Sequence, residues 1–151
     1  FDAAACQPLV GAAVYAWHCD REGRYSMYDR EIANENYLRG VQETAMDGTV
    51  VFQSIFPACY SGRWPHIHFE VYPSLAATTS SANVVATSQL AFPQDVCDVV
   101  FATAGYEQSV RNLAGLSLDR DMVFADGYAT QLATTNGSVD EGYSATLVVT
   151  V

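Results

Sequence analysis

Apolar residues along this chain fall into short runs separated by turn-forming residues, which points to strands rather than long helices. Residues 10–17 carry Val14, Tyr15 and Trp17, residues 49–56 read T-V-V-F-Q-S-I-F, and residues 66–72 read H-I-H-F-E-V-Y. All three predict strands. Asp47-Gly48 before the second run and residues 20–23 after the first read as turns, while Pro57, Pro65 and Pro73 punctuate the chain beyond the second run. Residues 78–83 are polar and loop-like, 88–92 predict a further strand, and 143–151 (Y-S-A-T-L-V-V-T-V) predict a final one. Only residues 95–104, with Val96, Val99 and Val100 one turn apart, predict a short helix. No repeat or linker divides the chain, so residues 1–151 are expected to form one all-β domain, a β-sandwich with long loops and little helix.

Composition narrows the function classes. The 151 residues are 50% hydrophobic and 16% charged, enough to bury a core. Seventeen acidic against seven basic residues give a net charge of −10, which repels phosphate and excludes nucleic acid and anionic membrane as partners. The sequence contains no lysine, which removes Schiff-base and P-loop chemistry. No apolar run reaches the roughly 18 residues of a membrane-spanning helix. Four cysteines, Cys6, Cys19, Cys59 and Cys97, lack CxxC spacing, and their even number points to two disulfides in a secreted protein, pairable in three ways. Asn136-Gly137-Ser138 matches a glycosylation sequon, meaningful only in a eukaryotic secretory pathway.

The chemistry concentrates in Cys59-Tyr60-Ser61-Gly62-Arg63-Trp64-Pro65-His66-Ile67-His68-Phe69. Alternation along a strand turns His66 and His68 to one face and Ile67 to the other, offering two nitrogen ligands side by side. Tyr60 and Arg63 lie close by, and no carboxylate interrupts the stretch, unlike zinc hydrolase sets or the two-His-one-carboxylate ferrous triad. Nitrogen with phenolate suits a hard ferric ion, whose charge can remove the phenol proton.

Together with the segments 14–20, 23–26, 38–40, 47–48 and 55–60, this stretch resembles the intradiol ring-cleavage dioxygenases, the family of catechol, hydroxyquinol and protocatechuate dioxygenases. The resemblance covers residues 6–92. It implies a mononuclear non-haem Fe(III) held by Tyr25, Tyr60, His66 and His68, with Tyr60 and His66 axial and Tyr25 and His68 equatorial. It further implies that Tyr60, Arg63 and Gln89 act on substrate. The reaction implied is cleavage of a catechol by O2 between its hydroxyl-bearing carbons to a cis,cis-muconate-type diacid. Ala58 and Trp64-Pro65 depart from the family pattern and are expected to reshape the mouth of the site. In such a sandwich the start of the first strand is expected beside the end of strand 49–56, pairing Cys6 with Cys59 and leaving Cys19 for Cys97. The family's additional N-terminal helical region is not seen, so a monomer is expected. His18 reads as a hydrogen-bonded structural residue, Trp17 as core, Tyr15, Tyr28, Tyr37 and Tyr72 as packing or pocket walls, and Asp20-Arg21-Glu22 as a solvated turn. The alternative is a non-enzymatic β-sandwich binding module in which histidines and tyrosines serve structure alone.

Overall fold

The computed structural model describes residues 1–5 and 7–151. Its main sheet has four antiparallel strands in the order β2-β1-β3-β4: β1 Ala13–Trp17, β2 Arg39–Glu43, β3 His66–Tyr72 and β4 Ala86–Ala91. The register sets Arg39 opposite Trp17, Trp17 opposite His68, and His68 opposite Gln89. Directly opposed residues share a face, so these four side chains form a row across the sheet.

The other face carries the core. Ile67 and Leu90 pack into a cluster with Trp64, Phe92, Phe101, Tyr106 and Phe124, while Phe69, Val71, Val14 and Ala86 pack against Leu147, Val149 and Val151. Helix α1, Gln94–Phe101, follows Pro93 and buries Val96, Cys97, Val100 and Phe101 in the first cluster. Helix α2, Glu107–Leu113, buries Ser109 and Leu113. A hairpin, β5 Thr134–Ser138 and β6 Gly142–Thr146, completes the mostly stranded architecture.

Three strand expectations differ from the structure. Residues 49–56 form no ladder: Val51 is 80% exposed, and the segment is held by side chains. Ser54 Oγ lies 2.6 Å from His18 Nε2, and the Phe56 ring packs 4.4 Å from Phe92. β-Propensity without a partner strand yields only extended chain. The final run keeps strand pairing only to Thr146; beyond it, alternate residues Leu147, Val149 and Val151 turn inward, and the backbone bonds the N-terminal segment through Phe1 N to Val149 O at 2.7 Å and Val151 N to Phe1 O at 2.9 Å. Strand β2 was not expected, because R-G-V-Q-E has a single aliphatic residue; it is an edge strand.

The cysteine expectation is also corrected. Cys19, Cys59 and Cys97 are free, buried thiols, so the expected Cys19–Cys97 pair is not formed; the expected partner of Cys59, Cys6, lies outside the described residues. The pairing assumed that residues 49–56 form a strand beside the first one, and they do not. Cys19 Sγ instead donates to Ala58 O at 3.6 Å and Cys59 Sγ to Arg63 O at 3.4 Å.

Phe101 is 2% exposed and contacts the rings of Phe56 and Tyr106. Phe101→Ala is expected to cost about 3–5 kcal/mol in denaturant unfolding, whereas Val51→Thr in the exposed segment should stay within about 0.5 kcal/mol of the parent.

Candidate metal centre

Two turns bring the tyrosines to the strand that carries the histidines. The first is built on Asp20, whose Oδ1 accepts from Glu22 N and Arg24 N and whose Oδ2 accepts from Arg24 Nε and the Tyr37 hydroxyl. Asp20 is 6% exposed, so the expected solvated turn is a buried carboxylate organising the loop that presents Tyr25. Gly23 takes φ +86° there, and a Cβ on it would stand 3.0 Å from Tyr60 Cβ; the two turns touch where only glycine fits. Helix α2 fixes the second turn: Ser109 Oγ accepts from Cys59 N at 3.0 Å, and Asn112 Nδ2 donates to Cys59 O at 2.7 Å. Tyr60 therefore follows a residue tethered at both backbone groups.

The side chains converge at His66 Nε2. The Tyr25 hydroxyl lies 3.2 Å away, the Tyr60 hydroxyl 3.3 Å, and His68 Nε2 3.1 Å; Tyr25 and His68 are themselves 3.1 Å apart. His66 Nδ1 donates to Trp64 O, which leaves Nε2 a single lone pair facing three heteroatoms. Two of those neighbours are phenols and one is another ring nitrogen, a set of nitrogen and oxygen donors that could close around a single cation. Ligands about 2.0–2.2 Å from one ion and near right angles stand about 3 Å apart, which matches these separations.

Burial governs the protonation states. It pulls the His66 ring down to about 3 and the His68 ring to about 4, with the Arg63 charge lowering both further and the bond to Trp64 O opposing the shift at His66. Burial likewise pushes the Tyr25 and Tyr60 phenols up, while Arg63 favours their ionised forms. Without metal, the pocket holds neutral imidazoles and protonated phenols. A multivalent cation bound here would supply the charge needed to ionise the phenols, and its binding would release protons.

Arg63 and Gln89 also meet at this site. Arg63 Nη2 donates to Gln89 Oε1 at 2.6 Å, and its Nε to Asp121 Oδ2 at 3.0 Å. Asp121 is fully buried and also accepts from Trp64 N and Val123 N. Desolvation raises its pKa, yet Arg63 and the two backbone donors outweigh that cost and hold it below its usual value. Asp121 was missed by sequence reasoning, since nothing in L-D-R-D-M-V-F marks a buried counter-ion 58 residues from its partner.

The remaining expectations sort clearly. His18 is structural, hydrogen-bonded to Cys19 O and Ser54 Oγ. Tyr37 and Tyr72 bond Asp20 and Glu70. Trp17 is half-buried and stacks on His68 at 4.8 Å and 6°, making it a wall of the site rather than core. Ala58 and Trp64-Pro65 are fully buried, so they pack beneath the site and do not form its mouth; Trp64 Nε1 donates to Phe92 O.

Comparison with known proteins agrees with this geometry. A chlorocatechol 1,2-dioxygenase from Rhodococcus opacus is 36% identical over 53 residues, a match covering 35% of this chain and 21% of that protein. The chain thus spans about a fifth of the length of the curated relatives it matches. An intradiol ring-cleavage dioxygenase from Tetranychus urticae superposes with a TM-score of 0.77 at 27% identity, covering 97% of this chain and 73% of that one. The dioxygenase domain of a carbohydrate-binding fusion protein from Streptomyces sp. SirexAA-E gives a TM-score of 0.62 at 26% identity, covering 97% and 71%. The Dioxygenase family profile matches residues 1–122. With four aromatic side chains converging on one point, and with the family profile and the fold agreeing over most of its length, this chain belongs to the intradiol ring-cleavage dioxygenase family.

Proposed function

We propose that the protein is a mononuclear non-haem Fe(III) dioxygenase that cleaves catechol-type aromatic diols between the two hydroxyl-bearing carbons, with O2 as co-substrate and cis,cis-muconate-type diacids as products. The observation that carries this reading is a lone pair on His66 Nε2 shared among two phenols and a second imidazole, with no carboxylate in the set. Oxygen and nitrogen donors of this kind suit a hard ferric ion better than the sites of zinc or ferrous iron. Tyr25, Tyr60, His66 and His68 would hold it. When bound, Fe(III) supplies the charge that ionises the phenols and draws electron density from a diol, exposing a ring carbon to dioxygen.

The chain's residues then divide the work. Tyr60 serves as a base, its phenolate oxygen taking the proton of one diol hydroxyl as the diol enters. His66 keeps its donor nitrogen aimed inward because Trp64 O fixes the other nitrogen as N–H. Arg63 sets a fixed positive charge beside the electron-rich ring, held in place by Asp121. Gln89 Oε1 is occupied by Arg63, so its amide N–H groups are what it offers to a substrate oxygen.

His68→Ala should leave the protein without retained iron and without colour from tyrosinate-to-iron charge transfer; stoichiometric iron with unchanged visible absorption in that variant would sink the ligand assignment. In Arg63→Leu the iron and colour should persist, while loss of the fixed charge slows turnover by about 10²–10³-fold, or about 2.7–4 kcal/mol. The same change strands Asp121, so unfolding should come about 3–5 kcal/mol more easily. Arg63→Lys should recover only part of the rate, because an ammonium lacks the planar guanidinium that meets Asp121 and Gln89 at once. Oxygen uptake on catechol by iron-replete Arg63→Leu within about twofold of wild type contradicts this role, since removing one such stabiliser ordinarily costs far more.

A further inference from the structure

Arg39 stands at the end of the row that crosses the sheet to Trp17, His68 and Gln89. It forms no ion pair with any carboxylate among the described residues, although the chain carries seventeen acidic residues against seven basic ones. Its donors go elsewhere. Nε and Nη2 reach the Ser26 carbonyl at 3.2 and 2.6 Å, Nε also reaches Ser26 Oγ at 3.0 Å, and Nη1 donates to the Tyr15 hydroxyl at 3.0 Å. The guanidinium carbon sits 4.4 Å from the centre of the Tyr28 ring.

Each of these bonds leads to a proposed ligand. Ser26 follows Tyr25 directly, and Tyr28, under the guanidinium, packs 6.1 Å from the Tyr25 ring. Tyr15 stacks on Trp17 at 5.0 Å, and Trp17 stacks on His68 at 4.8 Å with nearly parallel planes. One planar side chain thus grips the turn that presents Tyr25 and the aromatic stack that orients His68.

The backbone records the same grip. Met27, just after Ser26, has φ +67°, and Leu38, just before Arg39, has φ +56°. These are the only two non-glycine residues with positive φ among the described residues. Such conformations cost of order 1–2 kcal/mol each and persist where surrounding contacts enforce them. Here those contacts are Arg39 to Ser26 and Ser26 Oγ donating to Tyr37 O at 2.7 Å, which lace the two segments together.

We propose that Arg39 is a positioning residue of the metal centre, fixing Tyr25 through Ser26 and His68 through the Tyr15–Trp17 stack with a single guanidinium. The inference rests on the functional reading above, in which those two residues are ligands. A role in folding alone would lower the melting temperature of metal-free protein and leave the loaded centre as it was. A positioning role changes the centre itself.

The test compares wild type, Arg39→Met, Arg39→Lys and Tyr15→Phe, each loaded with ferric iron. Iron retention against a competing chelator, the position of the visible charge-transfer band and the melting temperature of the metal-free form are the readouts. Arg39→Met is expected to weaken iron binding by about 10- to 100-fold, the usual cost of losing a residue that orients ligands, and to shift the band. Arg39→Lys should restore little of either, since one ammonium cannot span Ser26 and Tyr15. Tyr15→Phe deletes only the 3.0 Å bond to Arg39 and keeps the stacked ring, so it carries the test should Arg39→Met not accumulate as folded protein. It too should shift the band and weaken retention. Variants with wild-type iron affinity and an unmoved band, whatever their melting temperatures, overturn the proposal alone. Wild type that takes up no iron overturns the functional reading and this proposal with it.

Discussion

In strand β3 successive side chains face opposite ways, and every other part of the molecule is arranged around that alternation. His66 and His68 look out from one side of the sheet; Ile67, Phe69 and Val71 look into the two apolar clusters on the other. The helices cover the end of the strand that bears Ile67, and the C-terminal segment covers the end that bears Val71. A slip of one residue in register would send the histidines into the core and expose the apolar face to solvent. The burial that stabilises the sheet therefore also fixes which face can hold chemistry.

Local rules account for the parts of the fold that were legible in the sequence. β3 was readable over its full extent because alternation and the aromatic residues Phe69 and Tyr72 leave no competing period. The helix after Pro93 was readable from the spacing of its valines. Strand β2 and helix α2 were not, because R-G-V-Q-E and E-Q-S-V-R-N-L owe their conformations to neighbours rather than to any apolar stripe of their own. Residues 49–56 fail in the opposite sense: strong β-propensity alone does not form a ladder, and the segment stays extended and unpaired. At the site, residue types in a fixed spacing pointed to Tyr60, Arg63, His66 and His68, whereas the long-range partners stayed hidden. Asp121 meets Arg63, and Trp17 meets His68, only through tertiary structure.

The charge distribution also has a local logic. A chain of net charge −10 builds its most chemically demanding pocket from two guanidiniums, two imidazoles and two phenols, and admits one carboxylate, Asp121, spent on holding Arg63. Positive charge at Arg63 and Arg39 disfavours protonated His68, keeping the ring nitrogens available as electron-pair donors. At Tyr60, where burial pushes the phenol up, the Arg63 charge works the other way and favours the ionised form. A pocket lined by carboxylates would do the reverse to both imidazoles and phenols.

The grip of α2 on Cys59 constrains how the site can open. With the Cys59 amide bonded to Ser109 and its carbonyl to Asn112, the main chain entering Tyr60 is pinned from both directions. If Tyr60 yields its place to an incoming diol, the departure is a rotation about side-chain torsions, on the timescale of rotamer exchange rather than of loop motion. Its phenol would then swing on a short arc with a fixed pivot and could return to the same spot without any rearrangement of the fold.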